Sequence, residues 1–202
     1  RTNRELIRSM QNSGVLRTPR IIKAFEKIDR KYFVPEEFDE EIYDDAPLPI
    51  GRGQTISQPT TVAFMLELLN AKEGDRVLDI GSGSGWTAAL LSEIVGEEGE
   101  VTGMDRVDEL VEVGQKNLAQ FGFKHSCIER AGEKLGKPGR QFDGILVSAS
   151  APEIPYELLE QLKIGGTLAI PVKNSIFRFK KLSNREVQKE EYPGFVFVPL
   201  IY

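Results

Sequence analysis

The chain has 202 residues, 40% apolar and 28% charged, with a formal net charge of −5, which describes one globular domain or one domain with a modest extension. No apolar run approaches the roughly 20 residues of a bilayer-spanning helix, and no basic stripe exceeds "RFKKL", so neither a membrane nor nucleic acid is an expected partner. One cysteine, Cys127, and one histidine, His125, exclude a disulfide framework and a cysteine-cluster metal centre, and "RTNRELIRSM" carries no targeting signature, which makes the cytoplasm the expected address.

Residues 3–29 read as two short amphipathic helices broken around "NSGVLRTP". Residues 31–59, "KYFVPEEFDEEIYDDAPLPIGRGQTISQP", form a long irregular segment. Loops of this length are usually functional or disordered, and Tyr32, Phe33, Phe38 and Tyr43 argue against disorder. The apolar run "TVAFMLELL" follows as a core helix. From Arg76 the pattern is regular: strand "RVLDI", turn "GSGSG", helix "WTAALLSEIVG", strand "EVTGMD", helix "VDELVEVGQKNLAQFG" and a weaker strand, "HSCIERA". Strand "FDGILVSAS", helix "IPYELLEQL", turn "KIGG" and strand "TLAIPV" complete it. Alternating strands and helices imply βαβ units, hence an α/β fold with a doubly wound, mostly parallel sheet. "KKLSNREVQKEEYPG" is polar and suggests no definite element, and the tail "GFVFVPLIY" is expected as an edge strand. The division that follows is residues 1–60 as helices and a covering loop, and residues 61–202 as a Rossmann-like core.

"VLDIGSGSGW" places Gly81, Gly83 and Gly85 between a strand and a helix. Glycines there let the backbone turn sharply and let a ligand lie against the main chain, while Ser82, Ser84 and the helix N-terminus offer polar groups. A dinucleotide fingerprint needs Gly or Ala one position beyond Gly85, but Trp86 stands there, and no Lys-Ser/Thr pair follows to make a phosphate-binding P-loop. Asp105 ends the second strand 24 positions after Gly81, where a carboxylate can accept hydrogen bonds from ribose hydroxyls. A nucleoside without a pyrophosphate fits best, and S-adenosylmethionine is the commonest such ligand. Asp79 adds negative charge on the side where its cation would sit. Taken singly, Asp79 and Asp105 also read as plain strand-end turn formers; the ordered set carries the signal.

Beyond that loop the sequence resembles the protein-L-isoaspartate O-methyltransferase family. "FVP" at 33–35, "YDDAPLPIGRGQTISQP" at 43–59, "VLDIGSGSGW" at 77–86, "FDGILVSASAPEIPYELLEQLKIGGTLAIPV" at 142–172 and "FVPL" at 197–200 stand in family order. The resemblance implies a repair enzyme that methylates the side-chain carboxylate of L-isoaspartyl residues in damaged proteins, with S-adenosylmethionine as donor and S-adenosylhomocysteine as product. It implies that Ser57 matches the active-site serine and that Gln54, Thr55, Ile56 and Ser57 close over the donor. Gly81 to Trp86, Asp105, Arg106 and Gly132 belong with the donor site, and Val198, Pro199 and Leu200 help hold the peptide. A monomer is expected.

Pro59 suits the first helical turn, since its missing N–H is no loss there. Ser57 then lies at or just before the cap, among free N–H donors that would welcome a carboxylate. In isolation it reads as a simple cap; beside the glycine loop it reads as the residue that orients an acceptor. An acceptor carboxylate is already ionised at neutral pH, so no general base is required, and no His or Lys is placed to make Ser57 a nucleophile. Trp86 reads as a stacking surface or as helix-start packing, Cys127 as a small buried group, His125 as structural, and "PEEFDEE" as a solvated face. Two stretches depart from the family pattern. Where the family has a Gly-Asp-Gly turn whose acid reaches the adenine, this chain has "RAGEKLG", with Ala131 or Gly132 in the acid's place and Glu133 as the available substitute. After "AIPV" no Gly-rich continuation follows, and the chain runs two residues past "VPL". A methyltransferase for another carboxylate or small molecule, and an adaptor that binds the donor without turnover, are the alternatives.

Overall fold

The computed structural model describes residues 1–202. Helices α1 (Asn3–Asn12) and α2 (Pro19–Lys27) open the chain. Thr2 and Glu5 close a reciprocal capping box on α1, the Thr2 hydroxyl accepting from the Glu5 N–H and the Glu5 carboxylate from the Thr2 N–H. Leu6, Ile7 and Met10 of α1 and Ile21, Ala24 and Phe25 of α2 are buried at helical spacing.

The segment expected to be irregular contains a hairpin. Strands β1 (Leu48–Gly51) and β2 (Gln54–Ile56) pair antiparallel. The turn between them needs left-handed backbone at Arg52 and Gly53, with φ of 54° and 71°. Strands of four and three residues are too short to show the alternation that would mark them in a sequence. Helix α3 (Pro59–Leu69) follows, with Pro59 in its first turn.

The main sheet contains β3 (Arg76–Ile80), β4 (Glu100–Asp105), β5 (Ser126–Arg130), β6 (Phe142–Val147), β7 (Leu162–Val172), β8 (Ser175–Lys181) and β9 (Val187–Pro193). Their order is β5-β4-β3-β6-β7-β8-β9. The first five run parallel, and β8 is antiparallel to both neighbours. Helices α4 (Trp86–Val95) and α5 (Asp108–Ala119) connect the strands from β3 to β5, and the short α6 (Tyr156–Glu160) precedes β7. The order reverses between β3 and β6. At such a switch point the loops leaving the two strand ends part and open a crevice.

One large apolar core unites α1 to α4 with the face of the sheet bearing Val77, Val101 and Leu146; a smaller one covers the other face around Leu78, Ile145 and Leu158. The N-terminal helices therefore share a core with the sheet.

Three sequence expectations are corrected here. The polar stretch "KKLSNREVQKEEYPG", given no definite element, holds the end of β8 and all of β9; the rest of β8 precedes it, with Phe177 and Phe179 facing one core and Ile176 the other. The tail is not an edge strand: β9 takes that place, and residues 195–202 touch the sheet's end through a single bridge, Ser150 to Pro199. Cys127 is exposed, because β5 is the opposite edge and this residue points away from the face that buries Ile128.

Candidate active site

The crevice at the switch point is built by the loop after β3. Gly81, Gly83 and Gly85 have φ of 78°, 50° and 90°, a region where a side chain is strained. That conformation turns the loop back on β4: the N–H groups of Gly81 and Ser82 both donate to the Met104 carbonyl, at 2.8 and 3.0 Å. One Asp105 oxygen accepts from the Gly83 N–H and the other from the Val107 N–H, each at 3.0 Å. Asp105 thus holds the loop, and each oxygen keeps a further lone pair for a ligand hydroxyl. Ser148, at the end of β6, donates its N–H to the Ile80 carbonyl at 2.9 Å and closes the other side.

A cleft of about 500 Å³ lies over this loop, walled by Gln54, Thr55, Ile56, Ser57, Gly81, Ser82, Gly83, Ser84, Trp86, Asp105 and Val198, with Thr87, Ser148 and Ala149. A second lobe of about 590 Å³ shares Gln54, Gly81, Asp105 and Ala149 with it and continues along Arg106, Ala131, Gly132, Lys134, Pro199 and Leu200. Both lobes meet at Gly81 and Asp105, and the second is the one that would take the base of a nucleoside whose ribose sat on Asp105. Glu133 is not on the wall, so the substitute acid suggested by the sequence does not face the lobe. Ala131, Gly132, Lys134, Leu135 and Gly136 of the 131–136 turn and the tail Leu200–Tyr202 wall it instead.

Two expected donor residues do not reach the cleft. Gly85 lies behind the loop, where a β-carbon would stand 2.8 Å from the Gly114 carbonyl of α5. Asp79 is completely buried beneath the loop; one oxygen accepts from the Thr87 hydroxyl at 2.6 Å and the other has no partner. Burial pushes its carboxyl up to about 7, opposed by the Thr87 hydrogen bond and aided by Asp105. The Ser82 hydroxyl is likewise buried and unpartnered. A buried acid with a free oxygen and a buried free hydroxyl, both next to the cleft, suit a cationic, polar ligand tail, so the residues fit S-adenosylmethionine. Trp86 touches the cleft but its ring is engaged below, edge-to-face with Phe25 at 5.7 Å and under the Arg30 guanidinium at 5.4 Å. Packing is the observed role.

Ser57 is half-buried and sits one residue before the Gln58 cap of α3. The N–H donors expected there are not all free: Asp45 accepts from the Thr60 N–H at 2.9 Å and from its hydroxyl at 2.6 Å. The helix start thus carries its own carboxylate, which weakens the case for a second one held by the helix dipole. What Ser57 does have is position. An outer groove of about 730 Å³, lined by Pro47, Gln58, Thr61, Val196 and Phe197, shares Thr55, Ser57, Ser148 and Val198 with the donor cleft. Val198 belongs to both, whereas Pro199 and Leu200 line the nucleoside lobe rather than the groove. Sequence reading missed Asp45, Thr87, Ser148 and Gly114. Only Gly114 had a signal: a glycine inside a helix is unfavourable and marks a close approach.

A mostly parallel sheet with a glycine loop, a strand-end acid and a crevice at its switch point defines an S-adenosylmethionine-dependent methyltransferase. The family model described as protein-L-isoaspartate(D-aspartate) O-methyltransferase matches residues 1–202. A protein-L-isoaspartate O-methyltransferase of Methanopyrus kandleri is 39% identical over all of this chain and 92% of its own length. One from Archaeoglobus fulgidus is 44% identical over 90% of this chain and 85% of its own. A Plasmodium falciparum protein-L-isoaspartate O-methyltransferase solved with S-adenosyl-L-homocysteine superimposes with a TM-score of 0.89, at 25% identity, over 100% of this chain and 99% of that one. The chain belongs to the protein-L-isoaspartate(D-aspartate) O-methyltransferase family.

Proposed function

We propose that the chain methylates the free carboxylate of L-isoaspartyl residues in damaged proteins, with the acceptor oriented by Ser57. The observation that carries this is the shared wall: Thr55, Ser57, Ser148 and Val198 bound both the donor cleft and the outer groove. An acceptor oxygen in the groove would thus approach a donor held in the cleft along the wall that bears the Ser57 hydroxyl.

When bound, S-adenosylmethionine supplies a methyl on a sulfonium, which passes to the attacking oxygen as the sulfur keeps the bonding pair and becomes a neutral thioether. The chain's own part is positioning. Gly81 to Ser84 and the hairpin residues Gln54 to Ile56 would enclose the donor, Asp105 would take its ribose, and Arg106, Ala131 and Gly132 would flank its base. Asp79, titrating at about 7 beneath the loop and bonded by the Thr87 hydroxyl, would carry negative charge once a bound cation draws off its proton, and Gly85 and Trp86 support the site from behind. Val198 and its neighbours line the peptide's path. The carboxylate arrives ionised, so Ser57 donates a hydrogen bond to it and neither gains nor loses a proton. Alignment and exclusion of water supply the acceleration, for which effective molarities of about 10⁵ M or more are available. We further propose a cytoplasmic monomer: one chain supplies every wall of the cleft, and no helix is long and apolar enough to cross a membrane.

Paired peptides differing only in aspartyl or isoaspartyl linkage, with labelled donor, test the reading. Transfer confined to the isoaspartyl peptide, and a roughly 10- to 100-fold fall in kcat for Ser57→Ala at unchanged donor affinity, are expected. Equal labelling of both peptides would overturn the substrate.

A further inference from the structure

Arg30 is 0% exposed and makes no ion pair, an unusual state for an arginine. Its guanidinium donates to four backbone carbonyls: Nη1 to Ile42 at 2.8 Å and Asp44 at 3.1 Å, Nη2 to Ala46 at 2.9 Å and Ser57 at 3.2 Å. The Trp86 ring lies beneath it, 5.4 Å from centroid to Cζ, at the first residue of the helix that leaves the glycine loop. One buried cation therefore joins three parts of the site: the base of the covering hairpin, the residue on the shared wall, and the support of the donor loop.

We propose that Arg30 is a positioning residue for methyl transfer, its planar fork fixing the peptide unit after Ser57 and with it the direction of the Ser57 side chain. This rests on Ser57 being the acceptor's contact. Hydrogen-bonding the Ser57 carbonyl fixes the orientation of the Ser57–Gln58 peptide, and therefore ψ at Ser57. Asp45 holds the next turn at Thr60, so the segment that leaves Ser57 is held at its carbonyl and again three residues on. A buried apolar side chain would fill the same volume without the desolvation that a cation suffers; what it could not do is aim a carbonyl. Burial lowers the Arg30 guanidinium to about 10, with Asp45 and Asp44 opposing, which keeps it charged at neutral pH. Lysine offers a point charge in place of a fork and cannot reach carbonyls on two separate segments in one plane.

The test is a cycle of Arg30→Lys, Ser57→Ala and the double variant, assayed for methyl transfer to an isoaspartyl peptide and for S-adenosylhomocysteine binding by calorimetry. Far-ultraviolet circular dichroism reports the fold, because Trp86, the single tryptophan, lies against Arg30 and its fluorescence changes with the substitution itself. Arg30→Lys is expected to lower kcat roughly 10- to 100-fold, the scale of an ångström-sized misplacement, with the ligand's Kd changed less than about threefold. The double variant is expected to be no slower than Ser57→Ala, because two residues acting through one contact are not additive. Arg30→Met, which keeps the volume and removes the donors, is the second variant and is expected to behave alike. Wild-type kcat in Arg30→Lys, multiplying losses in the double variant, parallel loss of ligand binding, or failure of both Arg30 variants to fold would each overturn the proposal. Full activity in Ser57→Ala alone would instead remove the reading of Ser57 on which it stands.

Discussion

Asp79 shows at the level of one side chain how a site can be held at the expense of the fold. Its carboxyl is buried, one oxygen is unpartnered, and burial lifts it from 3.8 to about 7. An acid whose folded value lies above its unfolded value retains its proton on folding. Its contribution to stability is present in full below pH 3.8 and is lost as the pH climbs through about 7. The ligand-free protein is thus expected to lose melting temperature over that window, and Asp79→Asn to flatten the profile and melt higher than the parent at pH 8, as calorimetry across pH would record. Donor binding should run the other way. A permanent sulfonium favours the charged carboxylate, so affinity is expected to rise between pH 6 and 8 and to fall about tenfold or more in Asp79→Asn. A variant that binds donor normally while gaining stability would break that link. The sequence identified Asp79 and its charge. It could not indicate burial or Thr87 as the partner, because both depend on how closely α4 sits on the end of β3.

Between elements, the decisive contact is that of the glycine loop with α5. A β-carbon on Gly114 would come within 2.8 Å of the Gly83 carbonyl, and one on Gly85 equally close to the Gly114 carbonyl. Two helices and a loop therefore meet through bare backbone, and the Asn117 amide reinforces the contact by donating to the Ser84 carbonyl at 3.0 Å. In a free helix Gly114→Ala would gain about 1 kcal/mol. Here it is expected to cost about 1–3 kcal/mol by overpacking and to weaken donor binding, seen as a lower melting temperature and a raised donor KM. An unchanged donor KM would mean that α5 can withdraw without disturbing the loop. The inner parallel strands were legible because they are largely buried on both sides and read as apolar runs, whereas the edge strand β5, half exposed, gave the weaker signal. The β1–β2 hairpin, β8 and β9 were not. The first is too short to alternate, and β9 is an edge whose Lys189, Glu190 and Glu191 keep its open side from pairing with another chain.

Across the whole molecule, the donor and acceptor spaces are closed by one stretch of chain. Residues 195–202 are fastened at Asn174, whose carbonyl accepts from the Gly194 and Phe195 N–H groups, and at Ser150, which exchanges hydrogen bonds with Val198 and Leu200 at 2.7 and 2.8 Å. Between those points Val196 and Phe197 line the groove; at the second, Val198 lines both spaces, and from there Pro199 to Tyr202 line the nucleoside lobe. The sequence marked "VPL" as a peptide contact, since a short apolar motif reveals its chemistry but not which of two adjoining cavities it faces. Leu200→Pro deletes the N–H that bonds Ser150 and is expected to raise donor Kd and peptide KM together, several-fold each, while the melting temperature of the sheet barely moves. Independent changes in the two would show that the stretch is not a common wall.

Such an arrangement bears on how the two sites can change. A strip moored at Asn174 and Ser150 borders both spaces, so whatever alters its seating alters the enclosure of nucleoside and peptide at once, and the two sites cannot be tuned separately through it.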